Sequence, residues 1–143
     1  MSKLAVIYWS GTGNTEEMAN SVFEGAKSVN ADAKLFSVSD ISAADAASYD
    51  TLVLGCPAMG AEELEDGEFE PFFADLEANL SDKNVALFGS YGWGDGEWMR
   101  SWFDRCSAAG ANMVGSEGVM ANEAPDADAL AACVALGKEA AAL

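Results

Sequence analysis

The sequence predicts an α/β protein built on a doubly wound, five-stranded parallel sheet. Short apolar segments alternate with longer segments of helical periodicity, which is the pattern of repeated β–α units. The segment 51–56 contains almost no polar residue and shows no alternation, as expected of a parallel strand covered on both faces. The chain has 143 residues, half of them hydrophobic, which suffices for one core. We therefore expect a single domain over residues 1–143 with strand order 2-1-3-4-5.

The first half of the chain contains three of the predicted strands. They are expected at residues 4–9, 33–38 and 51–56. One face of the helix after the first strand carries four apolar residues, Met18, Val22, Ala26 and Val29. Residues 40–48 are rich in Ala and Asp and predict a short helix capped by Ser39 or Ser42. Pro57 ends the third strand.

The second half contains two further strands, at residues 85–89 and 113–120, and the latter has two interior glycines. The helix before them has Pro71 in its first turn and apolar residues at helical spacing: Phe69, Phe72, Phe73, Leu76 and Leu80. The next helix ends near Gly110, and one of its faces carries Trp98, Trp102, Cys106 and Ala109. We expect Trp98 and Trp102 in the core. A closing helix is expected at residues 126–143.

The composition excludes several kinds of chemistry. The absence of histidine removes Ser-His-Asp and Cys-His catalysis and the commonest zinc ligand. The cysteines lie far apart in apolar segments, so we expect buried thiols and neither a disulfide nor a metal site: Cys56, Cys106 and Cys133. We expect no catalytic residues, so any chemistry must come from a cofactor.

The charge predicts the kind of partner. The formal net charge is −17, with only seven basic residues. This balance argues against nucleic acid and anionic membranes, and it favours partners with a basic patch. No apolar run approaches the roughly 18 to 20 residues that span a bilayer. Because Met1-Ser2-Lys3 leads straight into the first strand without a signal peptide, we expect a cytoplasmic protein.

The segment Ser10-Gly11-Thr12-Gly13-Asn14-Thr15 links the first strand to the first helix. Such a junction directs unpaired N–H groups and the positive end of the helix dipole at one point, where phosphate binds. The triphosphate motif G-x-x-x-x-G-K-[ST] and the dinucleotide motif G-x-G-x-x-G are both absent. The segment indicates either a single terminal phosphate held by neutral donors or an ordinary turn in which Asn14 or Thr15 caps the helix.

Two further loops are expected to meet this segment at the switch point of the sheet, where ligands bind outside the carboxyl ends of the strands. Loop 57–67 displays Met59, and loop 90–95 displays Tyr91 and Trp93 between glycines. Aromatic rings displayed in this way predict a planar heterocycle held between Met59 and Trp93. The alternative is that both side chains fold inward as part of the core.

An acidic segment borders the predicted site. Its six carboxylates are Glu62, Glu63, Glu65, Asp66, Glu68 and Glu70. Such a run is usually a solvated surface. Its negative field also opposes the addition of an electron to a bound ligand, which predicts a low reduction potential.

These motifs resemble those of the short-chain flavodoxins, small FMN-binding electron carriers, and especially their clostridial type. The matching segments are Tyr8 to Thr15, Met59-Gly60 and Gly89 to Gly94. The resemblance implies a flavodoxin-like fold and a one-electron carrier that uses the semiquinone and hydroquinone states of non-covalently bound FMN. It also implies a cofactor site formed by Ser10, Gly11, Thr12, Gly13, Asn14, Thr15, Pro57, Ala58, Met59, Gly60, Ala61, Glu62, Ser90, Tyr91, Gly92, Trp93 and Gly94.

The resemblance also implies individual roles for these residues. The phosphate would be held by Ser10, Thr12, Gly13, Asn14, Thr15 and Ser90. Met59 and Trp93 would flank the flavin ring, and Glu62 would accept a hydrogen bond from its N3. Gly92 would lie along the ring edge, and Asn122 is a further candidate neighbour.

In this family, the peptide that corresponds to Gly60-Ala61 turns its carbonyl toward N5–H of the semiquinone. Gly60 is compatible with this movement because glycine tolerates either peptide orientation. Pro57 stands where some relatives have a hydroxyl residue, and Ala61 stands where others carry Asp.

The leading hypothesis is therefore a monomeric low-potential electron carrier without substrate turnover of its own. Its partners would be redox enzymes with basic docking surfaces, such as reductases and ferredoxin-dependent oxidoreductases. A second hypothesis, an FMN-dependent reductase that takes electrons from NAD(P)H, is disfavoured by the few basic groups near the site. A phosphoryl-accepting signalling domain would need an Asp after the third strand, where Cys56 stands, and we exclude it.

Overall fold

The computed structural model describes residues 3–143. The strands are β1 (Leu4–Tyr8), β2 (Lys34–Ser37), β3 (Thr51–Gly55), β4 (Asn84–Tyr91), β5 (Asn112–Met113) and β6 (Val119–Asn122). The helices are α1 (Asn14–Val29), α2 (Ala43–Ala46), α3 (Phe69–Glu77), α4 (Glu97–Ala108) and α5 (Ala127–Ala141). Met1 and Ser2, on which the expected start without a signal peptide depends, lie outside the described residues.

All of the strands are parallel, in the order β2-β1-β3-β4-β5, with β6 also paired to β4. Successive strand residues face opposite sides, which produces two cores. One core places Ile7, Leu54 and Leu87 against α3 and α4. The other places Val6, Val53 and Phe88 against α1 and α5. The predicted doubly wound sheet and its strand order are therefore confirmed.

The fifth strand was expected as one segment, residues 113–120, and this expectation is wrong. β5 pairs with the start of β4, at Asn84 and Val85, whereas β6 pairs with its end, from Phe88 to Tyr91. The two strands are separated by a turn in which Gly115 has a φ of 78°. Glycine adopts this left-handed conformation readily, and it takes the chain out of the sheet before β6 returns to it.

Pairing with β6 also extends β4. The fourth strand was expected to end at Gly89, but it runs to Tyr91, so Ser90 and Tyr91 belong to a strand and not to a loop. The helix expected at residues 40–48 is instead a 3₁₀ turn, Val38–Asp40, followed by α2. Ser42 caps α2 by accepting a hydrogen bond from the Asp45 N–H at 3.1 Å.

The residues assigned to the core from sequence are found there. Trp98 and Trp102 are buried, and Phe69 and Phe73 pack edge-on against Trp102. The three cysteines are fully buried and unpaired, as expected. Burial raises the pKa of each thiol to about 12, because the low-polarity interior disfavours the thiolate. These thiols are neutral packing groups at physiological pH.

Helices α1 and α5 approach each other at two glycines. A Cβ atom at Gly25 would overlap the carbonyl of Val134, and one at Gly137 would overlap the carbonyl of Val22. No residue larger than glycine fits at either position without moving a helix. This close contact fixes α1, whose N-terminus faces the carboxyl ends of the strands.

The lysines all lie at the end of the sheet opposite the carboxyl ends of the strands. Three of them stand at or just before the starts of strands: Lys3, Lys34 and Lys83. The other two are in the last turns of α1 and α5: Lys27 and Lys138. Because the helices run antiparallel to the strands, all five amines share one pole, which we call the lysine pole. No helix in residues 3–143 is long and apolar enough to span a bilayer.

Candidate functional site

A cavity of about 330 Å³ lies at the carboxyl ends of β1, β3 and β4, at the switch point of the sheet. It is lined by residues from the three predicted segments and by two others: Trp9, Ser10, Gly11, Thr12, Asn14, Thr15, Pro57, Ala58, Met59, Ser90, Tyr91, Gly92, Trp93 and Glu123. No Lys or Arg of the described chain belongs to this lining. Apart from Glu123, a charged ligand group would therefore meet hydroxyls, an amide and backbone N–H groups.

The segment after β1 presents the N-terminus of α1 to this cavity. The residue before the helix is Gly13, with a φ of 96°, and within the described chain no side chain caps the helix. The alternative in which Asn14 or Thr15 caps α1 is therefore wrong. The Gly13 N–H donates to Ser10 Oγ at 3.1 Å, which closes the turn. This geometry leaves the first N–H groups of α1 available to an anion.

Two buried hydroxyls connect this helix to the sheet. Thr15 Oγ1 and Ser90 Oγ lie 3.1 Å apart, and the two residues are only 1% and 5% exposed. Both line the cavity. The Ser90 carbonyl also accepts a hydrogen bond from the Ala58 N–H at 3.0 Å. Ser90 therefore holds the first and second segments in a fixed relation.

Met59 and Trp93 are exposed on the cavity lining, at 36% and 54% of their surface. The alternative that both side chains belong to the core is wrong. Tyr91 behaves differently, because its ring is half-buried and packs against Trp98 with the ring centres 5.5 Å apart. Exposed apolar side chains at the mouth of a cavity favour an apolar, planar ligand.

The backbone around Met59 forms a tight hairpin. Met59 and Glu63 exchange two backbone hydrogen bonds, both of 2.8 Å. Between them, Gly60 and Glu62 have φ angles of 52° and 54°. A Cβ atom at Gly60 would meet no heavy atom within 4 Å, so this peptide stands in open space.

Five of the predicted site residues lie near the cavity without lining it: Gly13, Gly60, Ala61, Glu62 and Gly94. Gly13 acts through the backbone turn before α1. The Glu62 carboxylate lies against Gly94 and accepts a hydrogen bond from the Glu97 N–H at 3.2 Å. Asn122 also lies off the lining, and its side-chain amide donates to the Tyr91 carbonyl at 3.4 Å.

Sequence reasoning missed two lining residues, Trp9 and Glu123. The Trp9 ring covers Gly11, where a Cβ atom would lie 2.9 Å from the indole, and its Nε1 donates to Glu68 at 3.3 Å. Its position directly before the loop could have indicated this. Glu123 follows β6 and its N–H donates to the Tyr91 carbonyl at 2.7 Å. No sequence signal placed it there, because β6 was not resolved as a strand.

The acidic segment is only partly a solvated surface. Glu63, Asp66 and Glu68 are exposed, whereas Glu65 is 9% exposed and its carboxylate accepts from the N–H groups of Gly67, Glu68 and Phe69. Burial raises the pKa of Glu65, but these three donors outweigh burial and hold the pKa below its usual range. The Glu65 carboxylate therefore caps the N-terminus of α3. The exposed carboxylates give the rim of the site its negative charge.

Taken together, these features define a class: small doubly wound α/β proteins with a mononucleotide site at the switch point. The family model described as flavodoxin matches residues 6–137, and the chain belongs to this family. A flavodoxin of Megasphaera elsdenii is 51% identical over 121 residues, which are 85% of this chain and 87% of that protein. A flavodoxin of Clostridium beijerinckii is 43% identical over 136 residues, which are 95% and 97% of the two chains.

The fold comparison agrees with this assignment. The solution structure of two-electron reduced M. elsdenii flavodoxin superposes with a TM-score of 0.85 at 46% identity, over 98% of this chain and 99% of that one. The resemblance to the clostridial, short-chain type is confirmed. The protein is a low-potential electron carrier whose cofactor is FMN.

The cavity residues fit FMN. The uncapped N-terminus of α1 and the hydroxyls of Ser10, Thr12 and Thr15 suit a terminal phosphate, and no basic side chain is needed. The exposed surfaces of Met59 and Trp93 suit a planar ring.

Proposed function

We propose that the three loops around the cavity divide the binding of FMN between them. The phosphate is held by the N-terminus of α1 and by the side chains of Ser10, Thr12, Asn14, Thr15 and Ser90. The ring is flanked by Met59 and Trp93. The observation that carries this proposal is the combination of an uncapped helix N-terminus with an exposed Trp and Met on one cavity.

The remaining predicted residues shape the backbone of the site. Pro57, Ala58 and Gly92 form part of the cavity wall, Gly94 gives room to the Glu62 carboxylate, and Gly11 and Gly13 let the chain approach the phosphate. The Gly60-Ala61 peptide stands in open space, which allows its carbonyl to turn toward the cofactor as the family resemblance implies. Bound FMN supplies the redox chemistry, accepting and releasing single electrons. The protein orients the cofactor, covers the two ring faces with Met59 and Trp93, and adds negative charge around the site.

We further infer the setting of this activity. The whole chain, residues 1–143, forms one FMN-binding domain that acts as a monomer in the cytoplasm and turns over no substrate of its own. Its partners are redox enzymes with basic docking surfaces, such as reductases and ferredoxin-dependent oxidoreductases. The exposed carboxylates of Glu63, Asp66 and Glu68 beside the cavity support this, because they attract basic surfaces.

Anaerobic reduction in half-equivalent steps, followed by visible absorption, tests the function of the protein loaded with FMN. We expect two separate one-electron steps with distinct spectra. A single two-electron step with steady oxidation of NADH by the protein alone would support the reductase instead. Failure of the flavin-free protein to bind FMN would contradict the proposed site.

A further inference from the structure

Glu62 occupies a backbone conformation that its residue type disfavours. The hairpin closed by Met59 and Glu63 leaves residues 60–62 as its loop, and Glu62, the last of the three, has a φ of 54°. The left-handed position that ends a three-residue hairpin loop is normally glycine. A residue with a side chain persists there only if its surroundings hold it.

The side chain of Glu62 shows what holds it. Its Oε1 accepts a hydrogen bond from the Glu97 N–H, the first residue of α4, at 3.2 Å. The carboxylate also fills the space beside Gly94, where a Cβ atom would overlap it. The residue before α4 is Gly96, with a φ of 95°, which has no side chain to cap the helix. Glu62 therefore supplies an acceptor and a negative charge to the N-terminus of α4, where the Asp95 carboxylate also interacts with the Glu97 N–H.

This contact joins the two segments that flank the cavity. Trp93 stands between Gly92 and Gly94, in a stretch whose backbone has wide conformational freedom. The far end of the stretch is fixed by Arg100, which donates to the carbonyl and the carboxylate of Asp95 at 3.0 and 2.9 Å. Glu62 fixes the same stretch from the opposite side, and it comes from the hairpin that carries Met59.

We propose that Glu62 is a positioning residue that sets the gap between Met59 and Trp93 before FMN binds. Its strained backbone aims the carboxylate at α4, and the bond to Glu97 holds the Trp93 segment against the Met59 hairpin. This role goes beyond direct contact with the flavin. Only its effect on FMN affinity depends on the proposed function.

The first test uses the flavin-free protein and NMR. The variants are Glu62→Ala, which removes the acceptor, Glu62→Gln, which keeps an acceptor without the charge, and Glu63→Ala, a matched loss of a neighbouring exposed carboxylate. We expect the Glu97 amide to exchange with solvent about fivefold faster or more in Glu62→Ala, and the Trp93 indole N–H to show a lower order parameter. Glu62→Gln and Glu63→Ala should stay within about twofold of the wild type.

The second test measures FMN dissociation rates for the same variants. We expect faster dissociation for Glu62→Ala and substantial rescue by Glu62→Gln. Unchanged Glu97 exchange and Trp93 order in Glu62→Ala would overturn the positioning role, and weaker FMN binding in that case would assign Glu62 to direct contact alone. If Glu62→Ala fails to fold, Glu62→Gly removes the carboxylate while relieving the backbone, and the same outcomes apply. Because the NMR test contains no flavin, its result is separate from a failure of wild-type protein to bind FMN.

Discussion

Trp93 shows how a single side chain can indicate a binding site. It is 54% exposed, in contrast to the buried Trp98 and Trp102 on the helix that follows. An exposed indole between glycines gains little from the folded protein itself. It gains a contact when a planar ligand covers it.

Replacement of Trp93 by Ala should weaken FMN binding by about 1–3 kcal/mol, because one face of the ring loses its stacking partner. Fluorescence titration of the flavin-free protein with FMN measures this change. Trp93→Phe is the matched control, and it should recover a large part of the affinity. An unchanged dissociation constant in a folded Trp93→Ala protein would show that the indole is not part of the binding surface.

At the scale of elements, the site depends on how helices begin and how closely they pack. α1 follows a glycine and has no side-chain cap, α3 is capped by the buried Glu65, and α4 is capped by Glu62 from another loop. α1 is in turn held by its contact with α5 at Gly25 and Gly137. The shape of the cavity therefore depends on contacts that lie outside it.

Glu65 should make stability depend on pH in the acid range. The pKa of Glu65 is lower in the folded state than its usual value of 4.5. Its contribution to the free energy of unfolding is therefore fully present above pH 4.5 and is lost as the pH falls through the pKa of the folded state. Glu65→Gln should reduce the free energy of unfolding by about 1–2 kcal/mol at neutral pH. Urea unfolding at a series of pH values should show this difference shrinking below about pH 4. A difference that is constant with pH would contradict the capping role.

The contact between α1 and α5 should not tolerate a larger residue. Gly137→Ala should destabilise the flavin-free protein by about 1–3 kcal/mol, since the new methyl group overlaps the Val22 carbonyl and pushes the helices apart. Urea denaturation measures the change. Gly92→Ala is the control, because a Cβ atom there meets nothing within 4 Å. Equal stability of the two variants would contradict the close approach.

Much of this architecture could be predicted from sequence, because the spacing of apolar residues and the residues that favour turns are local signals. The run at 51–56 and the spacing of Trp98 and Trp102 specified a buried strand and a buried helix face. The division of the fifth strand could not be predicted, since it depends on where Gly115 leaves the sheet and on pairing of β6 with β4. The place of Glu123 on the cavity depends on that same pairing, and the role of Glu62 depends on a tertiary contact with Glu97. Glu65 caps α3 through local contacts with Gly67, Glu68 and Phe69, which the spacing of apolar residues does not indicate.

At the scale of the whole molecule, charge is unevenly distributed. The net charge is −17, and exposed carboxylates beside the cavity face away from the lysine pole. Arg100, on the helix that follows the Trp93 segment, forms an ion pair with Asp95 at 2.9 Å. A basic partner therefore meets attraction at the cavity end of the molecule.

The rate of association with a basic redox partner should fall by about fivefold or more between about 20 and 200 mM salt, because ions screen this attraction. Stopped-flow electron transfer measures the rate. Glu63→Gln combined with Asp66→Asn should flatten the salt dependence. Asp32→Asn combined with Asp82→Asn removes two exposed carboxylates just before β2 and β4 at the far pole, and this matched change should leave the salt dependence nearly unchanged. An equal effect of the near and far substitutions would show that net charge alone, and not its placement, governs association.

The lysine pole has a practical consequence for attaching the protein to a surface. All five lysine ε-amines lie at the end of the sheet opposite the cavity. Amine-directed coupling to a bead or an electrode coating would therefore anchor the lysine side chains at the base of the molecule and leave the cavity pointing outward. Uniformly oriented layers would follow from ordinary lysine chemistry, without an engineered tag.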